Sequence, residues 1–364
     1  MTRMAWLSAC TAIGLLLPGA ARAQGSGPPI EVGGLLRTGF RIEPASSSES
    51  DGFDIFDARL RFSGEVGIVF DYFVQIQYDP DDDAFELLDA KATVPVFPEL
   101  DLAFGLFRPP FGYEALVPKG DLTFVDRAEA VRAVAPGRQV GVEVGGEAFE
   151  GRFTYGAGLF NGNGRALEND GDDYLFSARA QYNSIGSIAF YDDLVVQVGG
   201  SIARASDTAA PLGPGNGPLE TDLAVPELSS GGFAGERTLW GVDAQVTLRG
   251  WALTAELLGA DYDFAAPVAV PTADGTIESI EDASTTGGYV ELGYRAWGAI
   301  ETVARYDAID PAAGSSRDFL VLGLNVYPGY YAKFAIQYAV PLDDSPNGSA
   351  IRRNQFLFTA QIDF

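Results

Sequence analysis

The chain has 364 residues and a formal charge of −26, with no histidine, one cysteine, 44 glycines, 21 prolines and 12% aromatic residues. A chain this acidic does not seek nucleic acid or an anionic membrane surface through bulk charge. Its lone Cys10 permits no internal disulfide framework, and the lack of histidine removes Ser-His-Asp chemistry and the commonest proton shuttle.

Near the start, Arg3 precedes an apolar stretch, Thr11-Ala-Ile-Gly-Leu-Leu-Leu17, which Pro18 and Gly19 break before Ala21-Arg22-Ala23. That order predicts a secretory signal over residues 1–23, cleaved before Gln24, with a single domain over 24–364. The apolar stretch is too short to remain as a spanning helix.

From about Ile30 onward, apolar residues recur at every second position. Leu60 and Phe62 alternate with Arg59 and Arg61; Tyr72, Val74, Ile76 and Tyr78 with Asp71, Phe73, Gln75 and Gln77; Leu100, Leu102, Phe104 and Leu106 with Asp101, Ala103 and Gly105. Trp240 to Leu248, Val290 to Tyr294 and Phe334 to Tyr338 repeat the pattern. The last segment places Phe356, Phe358, Ala360, Ile362 and Phe364 on one side and Leu357, Thr359, Gln361 and Asp363 on the other. A period of two means strands with one apolar face.

The connections alternate in length. Gly64–Gly67, Pro95–Glu99, Arg249–Gly250, Trp297–Ala299 and Pro328–Tyr330 are short. Pro44–Gly52, Arg108–Arg138, Asn161–Asp173, Ala205–Gly235, Asp263–Ser284 and Pro341–Ile351 are long and polar. Short turns at one rim and long loops at the other predict an all-β, antiparallel, up-and-down transmembrane barrel in the bacterial outer membrane. The walk along the chain gives sixteen strands, with fourteen or eighteen left open by the region Ser184–Asp193. A soluble sandwich would also alternate, but the signal segment, the terminal aromatic and the absence of a second sheet order favour a closed cylinder, which leaves no unpaired edge in lipid.

Parity then assigns the wall of the bore. Arg37, Arg59, Arg61, Arg179, Arg305 and Lys333 face inward, as do Asp71, Asp89, Asp101, Asp243, Glu256, Glu291 and Glu301. The third long loop, Arg108–Arg138, is unusual. Pro109 and Pro110 stop the strand. Phe111, Leu116, Val117, Leu122, Phe124 and Val125 are too apolar for a freely solvated loop and are expected to pack against the inner wall, the alternative being an outside rim or a subunit contact. The expected constriction residues are Arg108, Lys119, Asp121, Asp126, Arg127, Glu129, Arg132 and Arg138, with Glu114 also among the loop's acids. Rings of basic groups favour anions and rings of acids favour cations. Ordinary salt bridges within the loop are the competing reading for Arg127, Arg132, Asp126 and Glu129.

Around this loop the chain resembles a known family. The ordered segments are Phe56-Asp-Ala-Arg-Leu-Arg-Phe-Ser-Gly-Glu65, Gly105-Leu-Phe-Arg-Pro-Pro-Phe-Gly-Tyr-Glu114, Asp121-Leu-Thr-Phe-Val-Asp-Arg127, Ala135-Pro-Gly-Arg-Gln-Val-Gly141 and Gly158-Leu-Phe-Asn-Gly-Asn-Gly164. Together they resemble the phosphate-selective porin O and P family over about residues 53–164; elsewhere only the barrel pattern and the terminal aromatic match. The resemblance implies a sixteen-stranded barrel, a homotrimer and a third loop folded into the lumen. It also implies a ladder of arginines and lysines in the narrow zone of phosphate-selective members.

These observations predict an outer-membrane porin, not an enzyme: a water-filled channel for passive diffusion of small hydrophilic solutes and ions, with an anion or phosphate preference open. Lysines number only Lys91, Lys119 and Lys333, and the wall is mixed in charge, so a general or weakly selective pore is preferred over a phosphate-specific one. The alternative is a barrel with a plugged lumen and a structural or adhesive role. Expected partners are outer-membrane lipid, small solutes or inorganic anions and further copies of the chain, with no nucleic acid. No cofactor is expected. The acidic outer segments, such as Asp79-Pro-Asp-Asp-Asp83 and Asp207 to Glu236, are candidates for weakly held Ca²⁺ or Mg²⁺, but without EF-hand spacing simple solvation is preferred.

Overall fold

The computed structural model describes residues 30–42, 51–67, 70–79, 84–165, 174–184, 193–210, 233–271, 277–310, 316–342 and 355–364. The signal segment expected at 1–23 and the acidic clusters at 80–83 and 220–227 lie outside the described residues, and so does 185–192. Among the described residues no group of three or more potential ligands converges on a metal-sized site.

The strands are β1 (Glu31–Ile42), β2 (Gly52–Val66), β3 (Phe70–Asp79), β4 (Ala84–Phe97), β5 (Leu100–Phe107), β6 (Gln139–Ala148), β7 (Phe153–Phe160) and β8 (Leu175–Asn183). They continue as β9 (Val195–Ala210), β10 (Phe233–Leu248), β11 (Trp251–Pro271), β12 (Ile277–Ala296), β13 (Ile300–Asp310), β14 (Arg317–Gly329), β15 (Ala332–Pro341) and β16 (Gln355–Asp363). Each pairs antiparallel with its sequence neighbours, and β1 closes the cylinder on β16 through pairs such as Leu35 with Asp363 and Ile42 with Phe356. Closure pairs the backbone of the two end strands, which hydrocarbon would otherwise leave unsatisfied.

The faces sort as the period of two requires, and their polarity is inverted relative to a water-soluble sheet. Arg305 is 1% exposed and Lys333 5%, whereas Val242 is 52% exposed on the outside. Large aromatics crowd the short-turn rim: Trp251, Tyr294, Phe149, Trp297 at 91% exposure and Tyr330 at 98%. Rings with an apolar body and a polar tip settle at the lipid–water boundary, so this rim marks one membrane interface. The turn between β10 and β11 is two residues long, with both Arg249 (φ 49°) and Gly250 (φ 86°) left-handed. That twist matches the flanking strands.

Two long connections differ from the sequence reading. Asp263–Ser284 is mostly strand rather than loop: β11 and β12 pair on past the expected strand ends, through Asp263 with Asp282 and Val268 with Ile280. The hairpin extends beyond the apolar band, so its residues need no alternation and its polarity masked its pairing. β9 and β10 likewise reach to Ala210 and Phe233, into the segment read as the loop Ala205–Gly235.

Gly105 sits at the root of the third loop with φ +125°, and a Cβ there would lie 1.9 Å from the Ala90 carbonyl oxygen of β4. Neither the backbone conformation nor the space admits a side chain. Gly105→Val is expected to lower barrel stability by about 3 kcal/mol, read as a drop in the temperature at which the detergent-folded barrel unfolds on a gel. An unchanged transition would refute this.

Candidate functional site

Residues 108–138 run inside the cylinder, held by inward side chains of β1, β2, β4, β8, β9, β11 and β13 to β16. The Pro110 carbonyl accepts from Ser177 of β8 (3.1 Å), and the Gly112 amide donates to Ser201 of β9 (3.0 Å). The amides of Tyr113 and Glu114 donate to the two carboxylate oxygens of Glu256 on β11 (2.6 and 3.1 Å). The Glu114 carboxylate stands 3.4 Å from Arg305 of β13. Lys119 then reaches Asp57 of β2 (3.3 Å). The carbonyls of Gly120, Leu122, Thr123 and Val125 accept from Gln361 of β16, Lys333 of β15, Asn325 of β14 and Arg37 of β1 at 2.6–2.9 Å. A loop without its own ladder thus has many polar backbone groups satisfied by the wall.

A short helix, α1 (Glu129–Val134), follows. Its first amides are capped from far away: Ala128 donates to Glu114 Oε2 and Glu129 donates to Asp307 Oδ2, both at 2.8 Å. Ala128, Ala130, Val131, Ala133 and Val134 bury against Leu239, Leu258, Tyr262, Tyr289 and Ile309 of the inner wall. Phe111 joins this cluster, while Phe124 and Val125 pack on Val321 and Leu357. Leu122 is buried as well. Leu116 departs from the sequence expectation: it is 37% exposed, and Val117 is only half-buried. Leu116 lies in the turn that follows the Tyr113 and Glu114 amides held by Glu256.

The loop covers the wall from β8 round to β16 and β1 and touches β2 and β4 through Lys119–Asp57 and Arg138–Asp89, while Arg59, Arg61, Gln77, Lys91 and Glu143 of β2 to β6 stay partly exposed. This changes what the inward cations do. Arg305 and Lys333, expected to line the bore, are seats beneath the loop: Arg305 bonds the Asp126 carbonyl (3.2 Å) and stacks on Phe124, and Lys333 holds Leu122. Arg179 is buried in an ion pair with Asp243 (2.5 and 3.0 Å). Arg61 bonds Asp363 and the Phe364 carbonyl, so it ties the β1–β16 seam rather than the narrow zone. Arg132 pairs with Glu129 one turn back on α1 (3.5 Å), an ordinary helix pair. Asp121 is exposed.

The remaining basic residues converge. Arg59 of the wall and Arg108, Lys119, Arg127 and Arg138 of the loop gather at the edge between β2–β4 and the loop, with Arg37 buried behind them, where it holds both Asp57 and the Val125 carbonyl. Asp57, wholly buried, pairs with Arg37, Arg59 and Lys119 together. Asp89 of β4 receives two parallel bonds from Arg138 (2.9 and 3.0 Å). Arg108 donates to the Ala115 and Val117 carbonyls, and Arg127 donates to those of Glu114 and Val117. With Glu114 and Asp126, four carboxylates meet six cations. Burial, then the Arg127, Arg138 and Arg59 charges, holds Arg108 well below the ordinary arginine value. Burial pulls Arg127 down to about 10 and Lys119 down to about 8, and pushes Glu114 up to about 7.

Asp57 was missed among the expected site residues, although it lies two positions before Arg59 and shares its parity. Asp89 was placed in the wall, but not as the partner of Arg138. No local signal marks that pair, since 49 residues separate them.

The family model for phosphate-selective porin O and P matches residues 30–343. The chain belongs to that family. It is therefore an outer-membrane porin, forming a water-filled channel for passive diffusion of small hydrophilic solutes and ions. No curated protein matches it. Among solved structures the porin is similar to a loop-deletion mutant of OmpT, an outer-membrane protein of Vibrio cholerae (TM-score 0.61, 14% identity, covering 93% of this chain and 100% of that one). It is similar also to an anion-selective porin from Comamonas acidovorans (0.61, 12%, 92% and 99%) and to the outer-membrane channel DcaP of Acinetobacter baumannii (0.56, 12%, 93% and 98%). At such identities these likenesses establish the shared barrel.

Proposed function

We propose that the porin is a weakly anion-selective channel whose preference is set by Arg37, Arg59, Arg108, Lys119, Arg127 and Arg138, with Asp57, Asp89, Asp126 and Glu114 as their counter-charges. The crowding of six cations at the gap carries this reading, in a chain whose overall charge is strongly negative. Excess basic groups at a constriction lower the free energy of an anion there and raise that of a cation. Asp121, Glu129 and Arg132 are given no part in selectivity. A homotrimer fits the family, and a trimeric form is known of OmpT from Vibrio cholerae.

The test is the reversal potential of single channels in a KCl gradient, with and without added phosphate. Anion preference with little phosphate block is expected. A cation-selective potential would overturn the proposal, and block by micromolar phosphate would overturn its weak selectivity.

The same potential should depend on pH in one direction. As pH rises through about 7, Glu114 gains negative charge; as it rises through about 8, Lys119 loses positive charge. Both changes remove the surplus, so anion preference should fall steadily from pH 6 to pH 9. A flat profile, or one that rises, would count against these two groups facing the permeating ion.

A further inference from the structure

Leu116 is the apolar residue of the loop that escaped burial. Phe111, Leu122, Phe124 and Val125 all found the wall, yet Leu116 and its near neighbour Pro118 remain exposed. Their position is fixed from both sides. Glu114 is held at β11 and β13 behind them, and Lys119 is held at Asp57 of β2 ahead of them. The turn between these anchors is bound beneath by Arg108 and Arg127, which take the carbonyls of residues 114, 115 and 117. Leu116 and Pro118 therefore form an exposed apolar ridge on the loop, between these two anchors.

The basic groups beside this ridge carry charge but have few donors to spare. Arg138 spends Nε and Nη2 on Asp89. Arg108 and Arg127 are turned to the loop carbonyls, and Arg37 is divided between Asp57 and Val125. Arg59 and Lys119 are the least committed of the six: both turn to Oδ1 of Asp57 (2.8 and 3.3 Å), whose other oxygen Arg37 already holds. A phosphate dianion, with several strongly hydrated oxygens, needs many donors at once to replace its water. A carboxylate needs about two and is satisfied by a single guanidinium edge.

We infer that the narrow zone binds amphiphilic organic monoanions, with the carboxylate at Arg59 and Lys119 and the apolar body lying over Leu116 and Pro118, in preference to inorganic phosphate. This rests on the anion-channel reading above and names the solute class for the same site. The general surplus of positive charge admits any small anion; the ridge supplies the discrimination among them. Each methylene fully removed from water is worth about fourfold in affinity. A ridge covers one side only, so two added methylenes should give about fourfold in total.

The experiment uses the full-length porin in planar bilayers, with chloride current measured against increasing sodium acetate, sodium butyrate or sodium phosphate. Butyrate should reduce chloride current at about one quarter of the acetate concentration, and phosphate should be the weakest of the three. Leu116→Ser should bring butyrate and acetate together, and Leu116→Met should restore the difference. Arg59→Gln should weaken both carboxylates. Equal effects of acetate and butyrate on the wild-type channel, or stronger block by phosphate, would overturn the inference. The chloride-over-potassium reversal potential, recorded in the same membranes, reports on the anion-channel reading separately. A chloride-preferring pore that ignores butyrate refutes the ridge alone, whereas a potassium-preferring pore refutes both.

Discussion

Arg59→Glu is expected to reverse or abolish the anion preference of the channel. Arg59 reaches from β2 to the edge of the gap, where its mostly buried side chain pairs with Asp57 at 2.8 Å. The exchange removes one positive charge and adds one negative charge. Six cations against four carboxylates become five against five, and the acidic remainder of the porin then sets the field. Two charges altered within several ångströms of the permeating ion shift its free energy by about 1–3 kcal/mol at a water-like to surface-like dielectric. That corresponds to roughly tenfold or more in the anion-to-cation permeability ratio. The reversal potential in a KCl gradient should change sign or approach zero, most clearly at low ionic strength, where screening is weakest. The outward apolar face is untouched, so the barrel should still fold and insert. Wild-type selectivity in a correctly inserted Arg59→Glu channel would remove Arg59 from the narrow zone and, with it, the centre of the proposed mechanism.

Replacing residues 112–134 by a short glycine-serine link is expected to raise single-channel conductance several-fold and to erase most of the selectivity. The segment fills the half of the bore lined by β8 to β16 and carries Lys119 and Arg127 into the gap. Without it the conducting area widens and ions pass farther from the remaining charges, so each charge acts through more water. A stability loss should accompany the gain in conductance. Leu239, Leu258, Tyr289 and Ile309 would lose the cover of α1, and Glu256, Arg305 and Lys333 would lose backbone partners from the loop. Water can reach those charges once the bore is open, which limits the loss to the apolar part. Unchanged conductance in the shortened porin would mean that another segment sets the narrowest point.

The strands were legible residue by residue because side-chain direction in a strand is a local property. Phe356 to Phe364 reads the same way in isolation as it does when paired with β15 and β1, and so do the runs around Trp240 and Phe334. The strand count and the short turns followed for the same reason. The paired hairpin of β11 and β12 was not legible, because beyond the membrane both faces are wet and the alternation that betrays a strand disappears. In the loop, the burial of Phe111, Leu122, Phe124 and Val125 could be anticipated from their character alone, but the exposure of Leu116 could not.

The inward set of arginines and lysines, and the basic balance of the loop, follow from the amino-acid order alone. What each cation does was decided by the path of the loop. Arg305 and Lys333 share the parity of Arg59, yet they lie beneath the segment and bond its carbonyls, while Arg59 stands at the open gap. That path is fixed by bonds such as Arg37 to Val125, 88 residues apart, and Lys333 to Leu122, 211 residues apart. Parity reports only which way a side chain points. Whether water, another charge or a folded loop stands in front of it depends on closure of the whole cylinder and on which backbone groups the enclosed segment must satisfy.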